Sequence, residues 1–284
     1  MQNMLDGLEA LIGLQASGTV SEAAVRLRLT QSAVSKRIKA LESTLGHSLV
    51  EPDGRRLKLT SAALTLLARA RPLVAELNGL ASLGGSPENR ELVVAVSDSI
   101  ASSWGPRLLE RALAAARGIT LEIHVDRSLL LLERLRLGHY DLGVVTGRPA
   151  GAGLVWTRLA EEPMVLVGAR GADARRKILT IEQASGTWRE IGHQALGHAK
   201  IQGRELVFLE SFAAAAQMAR AGFGHALVPL GTASALGFRG AEVETLSPRL
   251  RRQIHFVGRK GLLGLASVRT FEAALAKAAS TTIR

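Results

Sequence analysis

The residues with the clearest chemical capacity are Gln31, Ser32, Ser35 and Lys36, on one side of a segment whose other side is Val34, Ile38 and Leu41. Such side chains suit base edges in the major groove, where a carboxamide can pair with adenine and an ammonium with guanine acceptors. Ser35 and Arg37 are better placed for phosphate, which positions a protein without reading sequence. Thr30 starts the segment, caps it and is counted with the same face. Arg55, Arg56 and Lys58 follow, where they could hold flanking backbone. The bland alternative is an amphipathic helix pair with a solvated charged face, and spacing alone does not decide between the two.

Charge favours an anionic partner without saying anything of the fold. The 284 residues carry 36 Lys and Arg against 25 Asp and Glu, a net charge of +11. Arg26, Arg28, Lys36, Arg37 and Lys39 share a window with no acid between Glu22 and Glu42. A second acid-free run holds Arg249, Arg251, Arg252, Arg259, Lys260 and Arg269, and reads as solvated surface. Cysteine is absent, which excludes disulfides, thiolate zinc sites and a cysteine nucleophile. The first residues do not resemble a signal peptide, and no apolar run reaches the length of a membrane span, so a cytoplasmic protein is expected.

The elements that must position these groups are legible in part. Leu5, Leu8, Leu11 and Ile12 recur at helical spacing up to Gly18. Thr19 to Glu22 has the capping-box pattern. A second helix turns Ala23, Ala24 and Leu27 inward, and a third runs from Thr30 to Gly46. Pro52, Asp53 and Gly54 form a turn before the alternating Leu57 and Leu59, which predicts a hairpin wing. Residues 61–83 predict a long helix, bent at Pro72, and residues 84–90 a hinge. Strands are then expected at 92–96, 121–125, 141–145, 164–168, 206–209 and 226–228. Helices are expected at 106–116, 129–138 and 212–221. Alternation of this kind implies a parallel sheet.

Ala23-Ala24, Leu27, Thr30-Gln31-Ser32-Ala33-Val34-Ser35, Ile38, Leu41-Glu42, Leu45-Gly46 and Leu59-Thr60 resemble the N-terminal signature of the LysR-type transcriptional regulators. Gly138 to Leu142 and Ala221 to Pro229 resemble two later segments of that family, in the correct order. Ser32 stands where the family usually has Pro, Ala63 where it has Gly, and Leu49-Val50-Glu51 departs from its usual wing entry.

The resemblance implies an α/β chain. It would have an N-terminal winged helix-turn-helix (residues 1–60), a linker and dimerisation helix with a hinge (61–90), and an effector domain like periplasmic binding proteins (91–284). Its first lobe would be about 92–154 and 252–284, and its second about 155–251. It further implies homodimers or dimer-of-dimers tetramers, inverted half-sites on double-stranded DNA, contact with RNA polymerase, and a small-molecule effector between the lobes. Ligands of open α/β sheets sit beyond the carboxyl ends of strands. By the resemblance, Ser97 and Ser99 are the leading effector contacts, with Thr146 after a later strand facing the same crevice and Ser211 on the opposite wall. Plain helix capping is the competing role for these hydroxyls. A narrower resemblance, to lysine- and arginine-responsive exporter regulators, implies a basic amino acid whose ammonium pairs with Asp98 or Glu210. The competing role for Asp98 is to favour a positive helix start.

Two other classes compete with this reading. An enzyme is disfavoured, because no nucleophile elbow, phosphate loop, dinucleotide glycine motif or zinc-protease helix is present. No cofactor is expected. His193 and His198 lack a third ligand and read as exposed loop histidines. A cytoplasmic small-molecule-binding protein with an incidental helix-turn-helix is the other alternative.

Overall fold

Short helices need caps, and the N-terminal segment supplies them in order. Helix α1 spans Gln2–Ser17, α2 Val20–Leu27 and α3 Gln31–Leu45. Thr19 Oγ1 accepts Glu22 N–H at 3.2 Å, and Thr30 Oγ1 accepts Ala33 N–H at 3.2 Å. Arg28 closes α2 in the left-handed region (φ 54°), which makes the tight turn into α3. Gly46 (φ 76°) ends α3. Leu11, Leu14, Ala23, Ala24, Val34, Ile38 and Leu41 form the core between these helices. Burial of each large aliphatic side chain is worth about 1.5–3 kcal/mol. Gly7 is required where α1 crosses α3, because a Cβ there would meet Leu41 Cβ at 2.7 Å. Strands β1 (Val50–Asp53) and β2 (Arg56–Leu59) pair antiparallel as the hairpin, with Val50 opposite Leu59. Glu42 anchors its entry by accepting Leu49 and Val50 N–H at 2.7 and 3.2 Å. Helix α4 (Ser61–Ala81) follows and continues through Pro72. Its Ala63 and Leu67 complete the core.

The computed structural model describes residues 2–53, 56–81, 90–116, 118–149, 153–169 and 177–282. The chain divides into two units, Met1–Gly85 and Ser86–Arg284. The second unit runs β3 (Arg90–Ser97), α5 (Asp98–Ala101), α6 (Gly105–Ala115), β4 (Ile119–Asp126), α7 (Ser128–Arg136), β5 (Leu142–Thr146) and β6 (Leu154–Val167). It continues through β7 (Ile178–Ile181), α8 (Gly186–Leu196), β8 (Leu206–Leu209), α9 (Phe212–Arg220), β9 (His225–Pro229), α10 (Leu230–Ala235) and β10 (Val243–Thr245). Strand β11 (Arg251–Arg259), α11 (Lys260–Leu263) and α12 (Ala266–Thr282) complete it.

One sheet, ordered β4-β3-β5-β11-β6-β9-β7-β8 with β10 on β6, runs through this unit. β3 pairs β4 and β5 in parallel, and β7 pairs β8 and β9 in parallel. The long strands β6 and β11 pair antiparallel and join the two parallel parts. Each part has its own core. In the first lobe, Val94, Leu108, Phe256 and Phe271 pack together, with Leu131, Leu135 and Val145 on the sheet's other face. In the second, Leu166, Ile178, Trp188, Ile191, Ala215 and Leu227 do so. The apolar runs of β5, β7 and β9 are buried along nearly their whole length, as expected for covered parallel strands.

Candidate functional site

Two groups of functional side chains emerge, one in each unit. On α3 the exposed Gln31, Ser32 and Lys36 and the half-buried Ser35 and Arg37 lie away from buried Val34, Ile38 and Leu41. Among the described residues no acid pairs with Lys36. Thr30 is committed to its cap and shares a hydrogen bond with Ser32 (Oγ1 to Oγ, 3.0 Å), which holds Ser32 at the helix start. Arg37 is turned partly back, with Nη2 3.4 Å from Asp6 Oδ2. Lys58 is exposed on β2. Arg56 belongs to β2, but its side chain, like all of Arg55, lies outside the described residues.

Sequence reasoning passed over Arg71. It is only 5% exposed on α4, and its Nη2 and Nε donate to Gln15 Oε1 at 2.7 and 3.1 Å. Burial foremost, and then Arg26, lowers its pKa to about 10.

In the second unit, Ser97, Asp98, Ser99 and Thr146 meet at a cavity of about 300 Å³ between the two lobes. Ser97 ends β3, Asp98 and Ser99 begin the helix that follows it, and Thr146 ends β5. Ser97 Oγ, Ser128 Oγ and Thr146 Oγ1 form a buried hydroxyl chain with links of 2.6 and 2.9 Å. Ser99 Oγ accepts from Arg252 Nη1 at 2.8 Å, so its own proton is free for an acceptor in the cavity. Thr187, 1% exposed at the start of α8, lines the opposite wall, and its hydroxyl has no partner among the described residues. Ser185 caps α8 by accepting Trp188 N–H at 3.0 Å.

Acids dominate the rim. Arg127 Nη1 spans the lobes to Glu182 Oε1 (3.0 Å) and Glu210 Oε2 (3.4 Å). Asp98 and Glu133 also line the cavity, and no cation pairs with either among the described residues. Ser211 does not line it. Ser211 caps α9 instead, accepting Ala214 N–H at 3.4 Å, while its neighbours Glu210 and Phe212 reach the cavity.

Behind Ser99 lies a fully buried ion pair, which corrects the reading of Arg252 as solvated surface. Arg252 is 0% exposed and Glu162 1%. They are direct register partners on β11 and β6. Arg252 Nη2 and Nε donate to Glu162 Oε2 at 2.7 and 2.9 Å. Glu162 Oε1 also accepts Trp104 Nε1 and Gly231 N–H at 3.0 and 2.9 Å. The acid-free run hid this because the partner carboxylate lies 90 residues away. His198 needs a correction too: it is 4% exposed, its Nδ1 accepting Lys200 N–H at 3.2 Å. His193 is exposed, on α8 rather than in a loop.

The lobes come into backbone contact where Gly147 (φ 75°) faces Gly186. A Cβ on Gly147 would collide with the Gly186 backbone, and one on Gly186 with Thr146 O. Of the cavity residues missed by sequence reasoning, Ser128 carried a usable signal, since it follows a strand and starts a helix. Ser185 and Thr187 stand in a stretch with no clear period.

Residues 5–64 match the profile described as a bacterial regulatory helix-turn-helix protein of the lysR family, and residues 85–280 match the LysR substrate binding domain. An uncharacterised helix-turn-helix transcriptional regulator of Vibrio cholerae is 30% identical over 82% of this chain and 81% of its own. A probable nitrogen assimilation transcriptional activator of Synechococcus elongatus is 30% identical over 94% of this chain and 92% of its own. Among solved structures, full-length OxyR of Pseudomonas aeruginosa superposes with a TM-score of 0.75 at 19% identity, covering 97% of this chain and 94% of its own. Full-length LysG of Corynebacterium glutamicum, solved with bound effector Arg, does so at 0.58 and 23%, covering 99% and 98%.

Proposed function

Because the chain belongs to the LysR family of bacterial transcriptional regulators, we propose that α3 reads operator DNA and that the cavity between the lobes takes a basic amino acid as effector. Residues 1–60 are assigned to DNA, 61–90 to linkage and dimerisation, and 91–284 to effector binding. Gln31 and Lys36 read bases; Ser32, Ser35, Arg37 and the wing cations Arg55, Arg56 and Lys58 hold phosphates. Two copies of α3 in a dimer present themselves to inverted half-sites spaced by whole helical turns. The relatives are named as transcriptional regulators, and a regulatory, cytoplasmic, non-catalytic role is assigned here too. No helix among the described residues is long and apolar enough to cross a membrane.

The observation that carries the effector reading is the cavity's polarity. Its rim offers the carboxylates of Asp98 and Glu133, which have no cation partner among the described residues and suit an ammonium or guanidinium. Its wall offers the free Ser99 proton, the unpartnered Thr187 hydroxyl and the N-terminal turn of α8, which suit a carboxylate. The arginine held by LysG supports the same ligand class.

A thermal-shift series with L-arginine, L-lysine and L-norleucine tests this, since a ligand of the folded state raises its melting point. The basic amino acids should stabilise and norleucine should not, and Asp98→Asn should abolish the difference. Equal stabilisation by norleucine would reject the cationic subsite.

A further inference from the structure

We propose that a second cavity, beside the Gly147–Gly186 contact, binds a small multivalent oxyanion held by arginines from both lobes. This cavity measures about 420 Å³, within the range of small-molecule sites. It shares Ser128, Leu129 and Thr146 with the first cavity but has the opposite charge. Arg136 from the end of α7 and Arg148 after β5 come from the first lobe, and Arg189 of α8 from the second.

Among the described residues no carboxylate pairs with any of the three. Arg148 lies over the Trp156 ring at 5.2 Å, which orients its guanidinium without neutralising it. The one acid in the wall, Glu190, is already engaged, with its oxygens 3.2 and 3.1 Å from Gln253 N–H. Burial pushes its carboxyl above the usual range, against that hydrogen bond, so the acid opposes an anion less than a free carboxylate would. Leu129 and Leu132 supply an apolar wall that lowers the local dielectric.

Guanidinium forks match planar carboxylates and phosphate oxygens. Three such groups with no counter-ion repel one another across the lobes, and a divalent anion between them turns that repulsion into attraction. Phosphate esters and polycarboxylates present the same chemistry. This reading does not depend on what fills the first cavity.

The test is calorimetric titration of the full chain with inorganic phosphate and with citrate, in KCl at fixed ionic strength and without DNA. Saturable binding of at least one is expected. Phosphate alone would identify a phosphoryl ligand, citrate alone a polycarboxylate, and either supports the site. Arg136→Gln and Arg189→Gln should each weaken binding at least tenfold, while Arg189→Lys retains part of it. Both side chains are exposed, so these variants should fold. Asp98→Asn, in the first cavity, and Lys36→Ala, on α3, should leave the affinity unchanged. Binding no better than chloride overturns the proposal. So does binding that survives loss of both arginines, or that is lost in Lys36→Ala, which would move the anion to the DNA face.

Discussion

Gln31 and Lys36 are exposed and take no part in the hydrophobic core, so their truncation should alter recognition and not folding. Gln31→Ala or Lys36→Ala should cost about 1–3 kcal/mol at a specific operator and relax sequence preference there, as read by competition binding against unrelated DNA. Unchanged affinity and preference would remove α3 from the groove. The Glu162–Arg252 pair makes the opposite case. Glu162→Gln leaves a buried guanidinium without its counter-charge, and about 3–5 kcal/mol of stability should be lost from the second unit in urea unfolding. Replacing both residues, Glu162→Leu with Arg252→Met, should recover much of that loss. The difference arises because the desolvation of each charge is offset only by the other.

At the scale of elements, α4 is pinned to α1 by a guanidinium that pairs with no carboxylate among the described residues. Gln15→Ala strips Arg71 of its principal acceptor and should destabilise the first unit by about 1–3 kcal/mol, visible as a lower urea midpoint. Nothing in the local sequence announces that bond, since Gln15 and Arg71 lie 56 residues apart. By contrast, α1 to α3 were legible because their caps and apolar spacing are local: Thr19, Thr30 and Gly46 each act within four residues. The hydroxyls at the cavity were legible for a similar reason, as Ser97 and Thr146 end buried strands and Ser99 lies two residues beyond one. The second lobe's share of the cavity was not. The 178–188 stretch offers a four-residue apolar strand and then Ser185-Gly186-Thr187, whose meaning appears only when β7 pairs with β8 and β9. Ser211 was placed correctly as a cap and one residue away from the groups that reach the cavity, an error within the precision of a helix boundary.

The whole second unit should respond to pH through His255. It lies fully buried on β11, donates through Nδ1 to Gly147 O at 3.0 Å, and packs edge-on against Trp156. Burial, with smaller contributions from Arg158 and Arg148, holds its pKa below the ordinary 6.5, against the Gly147 hydrogen bond. The folded state therefore binds fewer protons than the unfolded one. Its contribution to stability is complete above that ordinary value and is lost as pH falls below it, with a limiting slope of about 1.4 kcal/mol per pH unit. Unfolding measured from about pH 8 down to about pH 6 should show this decline, and His255→Gln, which keeps a donor but cannot ionise, should flatten it.

β6 and β11 have a further consequence. They are the two passages of the chain between the lobes, and they are zipped to each other along their length. A zipped pair bends far more readily than it shears, so the lobes have in effect one coordinate of relative motion. A guest that drew the lobes together would do so through that pair. Guests in the two cavities, which share Ser128, Leu129 and Thr146, would then be coupled, and reciprocity requires each to change the other's affinity by the same factor.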